Sequence, residues 1–165
     1  IIHAFQTLGC KVETFDGRGE IVDFNHDAVV IGPGPGRPEI SPLSMHAASL
    51  DMPVLGICLG HQAIGLTRGM ELVESPLGPV HGVPSTIVAD GNGLLSKGEH
   101  VMTRYNSLVL HGEGNILVTA NDETGTLPME IRDGNTYGLQ FHPESIGSIG
   151  GMEVLSEFLR RVAHC

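Results

Sequence analysis

The chain has 165 residues, 41% of them hydrophobic and 17% charged, with a formal net charge of −10. That length and balance fit one globular domain with a sizeable core and exclude a disordered chain, while the acidic excess without any compact Lys/Arg cluster argues against a nucleic-acid partner, whose phosphates need basic side chains. No apolar run approaches membrane-spanning length, and three scattered cysteines, Cys10, Cys58 and Cys165, point to a reducing, cytoplasmic compartment rather than a disulfide framework.

Ile1, Ile2, Phe5 and Leu8 recur at helical spacing and Gly9 stands where a C-terminal cap would, so the chain is expected to open inside a helix. Residues 10–15 alternate like a strand. Residues 28–31 form a short apolar run of the kind buried on both faces of a parallel sheet. Gly32-Pro33-Gly34-Pro35-Gly36 suits neither helix nor central strand and is expected to be a rigid loop. Residues 42–50 read as a helix with Pro42 in its first turn, followed by an apolar strand over 54–57. Strand, helix and strand in this rhythm imply βαβ units and a parallel sheet. After Gly69 short β-like runs take over, at 70–74, 84–89, 101–105, 116–120, 126–132 and 137–141, divided by turns such as Asp90-Gly91-Asn92-Gly93 and Asp133-Gly134-Asn135. An amphipathic helix over 152–162 closes the chain, and residues 1–165 read as a single domain.

Chemistry gathers in two places. In Gly56-Ile57-Cys58-Leu59-Gly60-His61-Gln62 an apolar strand runs into a cysteine bracketed by glycines, with a helix-compatible run after it. That is the layout of a nucleophile elbow, and a thiol at a helix start meets the positive end of the dipole. The same string also suits a packed structural thiol. A nucleophile needs a base and an orienting group. Of nine histidines, His142 stands out because it ends an apolar strand, where open α/β sheets place their sites, and Glu144 follows across Pro143 on the same side of an extended backbone. His3, His26, His46, His100, His111 and His164 have no motif around them, and His61 reads as structural. No cysteine–histidine spacing forms a recognised zinc pair, so no metal site is expected.

Gly32-Pro-Gly-Pro-Gly36, Gly56-Ile-Cys-Leu-Gly-His-Gln62 and Phe141-His-Pro-Glu-Ser145, in this order, resemble the class I (triad) glutamine amidotransferases. With His81-Gly82-Val-Pro-Ser85 and Arg104-Tyr-Asn-Ser-Leu108, the chain is similar to the glutaminase component of anthranilate and aminodeoxychorismate synthases. The resemblance implies a flavodoxin-like three-layer α/β/α fold, with a mostly parallel central sheet and additional antiparallel strands. It implies that Cys58 attacks L-glutamine to give a thioester and ammonia, with His142 as base and Glu144 as its orienter. Leu59 and Gly34 would supply the oxyanion hole. Gly34, Pro35, Gly36, Gln62, Ser107 and Leu108 would bind substrate. A chorismate-utilising synthase would be the partner and would hold Mg²⁺, with no cofactor in this chain.

The family also opens with an apolar strand ahead of the helix at Ile1, so the polypeptide is expected to extend before Ile1. Asn106 stands where many relatives have histidine. Three other readings stay open: the glutaminase of another synthase, which the 104–108 segment disfavours; a non-catalytic regulatory module, which has no need of all three of Cys58, His142 and Glu144; and a γ-glutamyl hydrolase, which the strings around those residues disfavour.

Overall fold

The computed structural model describes residues 1–162; His164 and Cys165 lie outside the described residues. Helix α1 (Ile2–Thr7) opens the chain. Gly9 stands just past its end at φ +88°, and the Cys10 N–H reaches back to the Phe5 carbonyl at 3.0 Å, a closure that glycine permits because it lacks a Cβ. Strand β1 (Val29–Ile31), a 3-10 turn at Pro38–Ile40, helix α2 (Pro42–Ala47), strand β2 (Val54–Ile57) and helix α3 (Leu59–Thr67) follow. Then come β3 (Glu71–Glu74), β4 (Val83–Ala89), β5 (Gly98–Arg104), β6 (Leu108–His111), β7 (Leu117–Asp122), β8 (Pro128–Asp133), β9 (Thr136–Leu139) and α4 (Gly151–Val162).

Seven strands form one sheet in the order β1-β2-β9-β8-β7-β4-β5, and β3 pairs with β6 in a separate ribbon. The pairs β1/β2 and β2/β9 are parallel, and the others in the large sheet antiparallel. Five strands (β1, β2, β5, β7 and β9) therefore run one way and β4 and β8 against them. Alternate side chains divide the core between the two faces. Leu55 and Ile57 of β2 join Phe5, Leu155 and Phe158 of α1 and α4, whereas Val54 joins Ala47, Ala63 and Ile64 of α2 and α3. The result is the expected three-layer α/β/α arrangement.

Three expectations need correction. Residues 10–15 are irregular: alternation supplies two faces, but a strand exists only through ladder bonds to a neighbour, and none borders them among the described residues. The stretch is held instead by the rings of Phe15, Phe24 and His26, with centroids 5.4 and 5.9 Å from Phe15, and by Glu13 and His26 at 3.0 Å. The helix read over 42–50 stops at Ala47, because Ser49 and Leu50 bond back to His46 and Ala47 in tighter three-residue steps before Pro53. Strand β6 was not expected, since Leu-Val-Leu-His neither alternates nor borders β3 in sequence. β1 pairs with β2 alone among the described residues, and a groove of about 1470 Å³ lies between it and residues 10–18.

Candidate active site

Parallel pairing of β2 with β9, in a register that sets Ile57 beside Leu139, brings two distant parts of the chain to the same sheet edge. Cys58 is the next residue after β2, and its N–H bonds the Leu139 carbonyl at 2.8 Å. His142 follows β9 by three residues. Carboxyl ends of adjacent parallel strands are where a doubly wound sheet opens a crevice.

The turn at Cys58 is strained. It is the one non-glycine among the described residues with positive φ, at φ 55° and ψ −102°, a conformation that a surrounding structure must enforce. The flanking glycines show what enforces it. A Cβ on Gly56 would stand 2.4 Å from the Gly60 backbone, and one on Gly60 would stand 2.2 Å from the Ile31 carbonyl oxygen. Helix α3 thus enters against β1 and β2 at a distance that only glycine allows. Cys58 is buried at the N-cap of this nine-residue helix, and the first N–H groups of a helix lack intrahelical partners.

His142 is held from several sides. Its Nδ1 and Glu144 Oε1 are 2.9 Å apart. Its backbone N–H donates to the Thr103 carbonyl at 2.9 Å. Ser148 Oγ donates to the His142 carbonyl at 2.5 Å and accepts the Thr103 N–H at 3.0 Å, which locks the turn after β9 to β5. The ring of Tyr105 stands edge-on to the imidazole, centroids 4.9 Å apart. Burial opposes charge on His142, yet the Cys58 thiol and the Glu144 carboxylate outweigh it and raise its pKa to about 9. Glu144 is pulled below the usual carboxylate range although burial pushes it upward, because it accepts from His142 and its own backbone N–H. His142 Nε2 is buried with no hydrogen-bond partner among the described residues. An imidazole so placed can carry a proton between a thiol and a leaving group.

The other predicted residues divide. Gly34 lies beside Leu59, where an added Cβ would meet Leu59 Cδ1 at 3.3 Å. Pro35 and Gly36 are exposed in the same loop, with Gly36 at φ +85°. Gln62 is buried one turn beyond Cys58 and donates from Nε2 to the Leu108 carbonyl and to Gln140 Oε1, both at 3.2 Å. Ser107 is exposed, and its carbonyl accepts from the Ser75 N–H at 2.8 Å. His61 is a buried structural ring. Sequence reasoning missed Gln140 and Ser148, which bond across to Gln62 and Thr103, and it gave Tyr105, inside the Arg104 to Leu108 string, no role at His142. Among the described residues no cluster of three or more His, Cys, Asp or Glu could hold a metal ion, and no helix is long and apolar enough to cross a membrane.

The family model described as glutamine amidotransferase class-I matches residues 1–162. Anthranilate synthase component 2 of Cyanophora paradoxa is 36% identical over 151 residues, covering 85% of this chain and 78% of that protein. An aminodeoxychorismate synthase of Streptomyces pristinaespiralis is 39% identical over 150 residues, 84% of this chain but 21% of that longer protein. The crystal structure of a glutamine amidotransferase from Thermotoga maritima superposes with a TM-score of 0.71 at 17% identity, covering 96% of this chain and 73% of that one. At that identity the likeness shows the shared fold.

Proposed function

The chain belongs to the class-I glutamine amidotransferases, and from that premise we propose that it hydrolyses L-glutamine through a Cys58 thioester and passes the ammonia to a chorismate-aminating synthase. The observation that carries this reading is the strained elbow, which sets Cys58 beside the His142–Glu144 pair on the ends of two adjacent parallel strands.

Cys58 Sγ, its proton held by His142, attacks the side-chain amide carbon of glutamine. The carbonyl oxygen becomes an oxyanion, held by the Leu59 N–H and by the backbone of the loop at Gly34, whose missing side chain permits the approach. His142 returns its proton to the nitrogen as the C–N bond breaks, and ammonia leaves. A water molecule then gives a proton to His142 while its oxygen attacks the thioester carbon; the C–S bond breaks, Cys58 Sγ is expelled beside the protonated His142 as at the start, and glutamate leaves. Glu144 holds Nδ1 so that Nε2 faces the sulfur. Gln62, Pro35, Gly36, Ser107 and Leu108 line the glutamine site. No step calls for a metal or cofactor in this chain; Mg²⁺ belongs to the partner.

A partner is supported by the surroundings of the triad. Tyr105, Ile146 and Ile149 are exposed apolar side chains within a few residues of His142 or in contact with it, and apolar surface of this kind is suited to being covered. Covering the site would also keep ammonia from protonation in bulk water. The relatives named for anthranilate synthase and for aminodeoxychorismate synthase favour two products, and the Arg104 to Leu108 segment is compatible with both.

The test is glutamine hydrolysis with and without a co-expressed synthase and chorismate, comparing the parent with Cys58→Ser. A loss of at least about a thousandfold in turnover is expected. Unchanged turnover in the variant refutes the thioester route. Mass spectrometry of the aminated product then chooses between anthranilate and aminodeoxychorismate, and a parent that binds no synthase favours a stand-alone hydrolase.

A further inference from the structure

Between β5 and β6 lies a buried side chain with both ends committed. Asn106, 3% exposed, accepts at Oδ1 from Arg104 Nε at 3.2 Å and donates from Nδ2 to the Leu108 carbonyl at 3.1 Å. The same carbonyl accepts from Gln62 Nε2 at 3.2 Å. A carbonyl oxygen has two lone pairs, so two side chains from separate elements fill this one completely. Gln62 gives its other Nε2 proton to Gln140 Oε1 at 3.2 Å, and its backbone N–H bonds the Cys58 carbonyl at 3.1 Å. With both protons used, Oε1 is what Gln62 can offer a ligand. Where that oxygen points is decided by the Leu108 carbonyl and by Gln140.

We propose that Asn106 is a positioning residue: it holds the Leu108 carbonyl, through it orients Gln62, and so sets the affinity of the site for its amide substrate without touching that substrate. This rests on the reading of Gln62 and Leu108 as part of the glutamine site. Holding Arg104 would require only an acceptor, which Oδ1 supplies. The Nδ2 arm is the part that reaches the shared carbonyl. Without it that oxygen keeps one partner, the Gln62 amide gains freedom to rotate, and the bound orientation has to be selected from several. The hydrogen bonds of the Asn106 side chain go to Arg104 and Leu108 and not to Cys58 or His142, so its removal is expected to leave their chemistry in place.

The test pairs glutamine kinetics with alkylation of Cys58 by iodoacetamide, which reports the nucleophile without needing Gln62. Asn106→Asp keeps the acceptor toward Arg104 and turns a second oxygen on the Leu108 carbonyl; Asn106→Leu is a similar-sized uncharged second variant should the first not fold. Each is expected to raise KM for glutamine about tenfold, with kcat and the alkylation rate within about twofold of the parent. Asn106→His, which keeps one donor and one acceptor, is expected to bring KM back toward the parent value. A KM unchanged in the first two variants overturns the proposal, as does a loss falling on kcat or on alkylation. A parent that neither binds nor hydrolyses glutamine refutes the glutaminase reading itself, and this proposal with it.

Discussion

Two buried histidines flank the same elbow, one beneath it and one at its mouth, and they are driven in opposite directions. His61, on the first turn of α3, is fully buried, and burial lowers its pKa to about 4, with the Gly138 and Pro128 backbone only partly opposing. His142 has a side chain just 10% exposed, and burial acts on it with the same sign. Its pKa nevertheless rises to about 9, because Cys58 and Glu144 stand beside it and nothing of the kind stands beside His61. The charge partners, not the burial, decide which ring is chemistry and which is packing.

The largest effect is expected from removing the charge that separates the two rings. Glu144→Gln should lower the His142 pKa from about 9 toward the ordinary histidine range, shift the alkaline limb of the glutamine pH profile downward with it, and cost on the order of 10²- to 10⁴-fold in turnover. NMR titration of the ring and the pH profile check this; an unmoved limb would mean that Glu144 does not set His142. Gly60→Ala strikes the frame that both rings share. Its Cβ would stand 2.2 Å from the Ile31 oxygen, and a loss of about 3 kcal/mol is expected in denaturant unfolding.

Stability against pH should show both rings at once. A depressed pKa means that the unfolded chain binds a proton at His61 before the folded one does. That contribution is intact above about pH 6.5 and is lost between about 6.5 and 4. His142 works the other way: its contribution is intact below about pH 6.5 and is lost as pH rises toward 9. The His61 limb is worth up to about 3 kcal/mol at its full extent, and the His142 limb less, because solvent reaching that site screens its charges. His61→Leu is therefore expected to flatten the acid limb, read as the difference in unfolding free energy between pH 7 and pH 5, and to leave the alkaline limb alone. An acid limb as steep as the parent's would show that His61 is not its source. The smallest effect is expected from Ser148→Ala, which strips the link between Thr103 N–H and the His142 carbonyl. It should cost about 1 to 2 kcal/mol in unfolding and leave the His142 titration in place; a shifted pKa would show that Ser148 sets the ring's chemistry as well as its anchoring.

Much of the fold was legible where the signal is local. Gly9 marks the end of α1, Gly134 with Asn135 turns β8 into β9, and residues 54–57 run into the elbow as expected. What misled was pattern without a partner. Residues 10–15 alternate but have no ladder, while β6 has a ladder with β3 and no alternation. Of the site, Cys58, His142 and Glu144 were legible from short strings, whereas the roles of Tyr105, Gln140 and Ser148 were not, because their contacts to His142, Gln62 and Thr103 join residues distant in the chain.

By itself the sequence determined the pieces whose physics is short-range: a cysteine between two glycines that must turn sharply, a glycine-proline loop that must be rigid, and a histidine two residues from a carboxylate across a proline. Only the tertiary structure decided that these pieces meet. The register of β2 on β9 sets Cys58 and His142 at one edge. The same packing seals His61 with no ionisable neighbour and sets His142 against the Cys58 sulfur as well as Glu144, and the Cys58 part of that difference lies in no window of sequence around His142, because it comes from a distant strand.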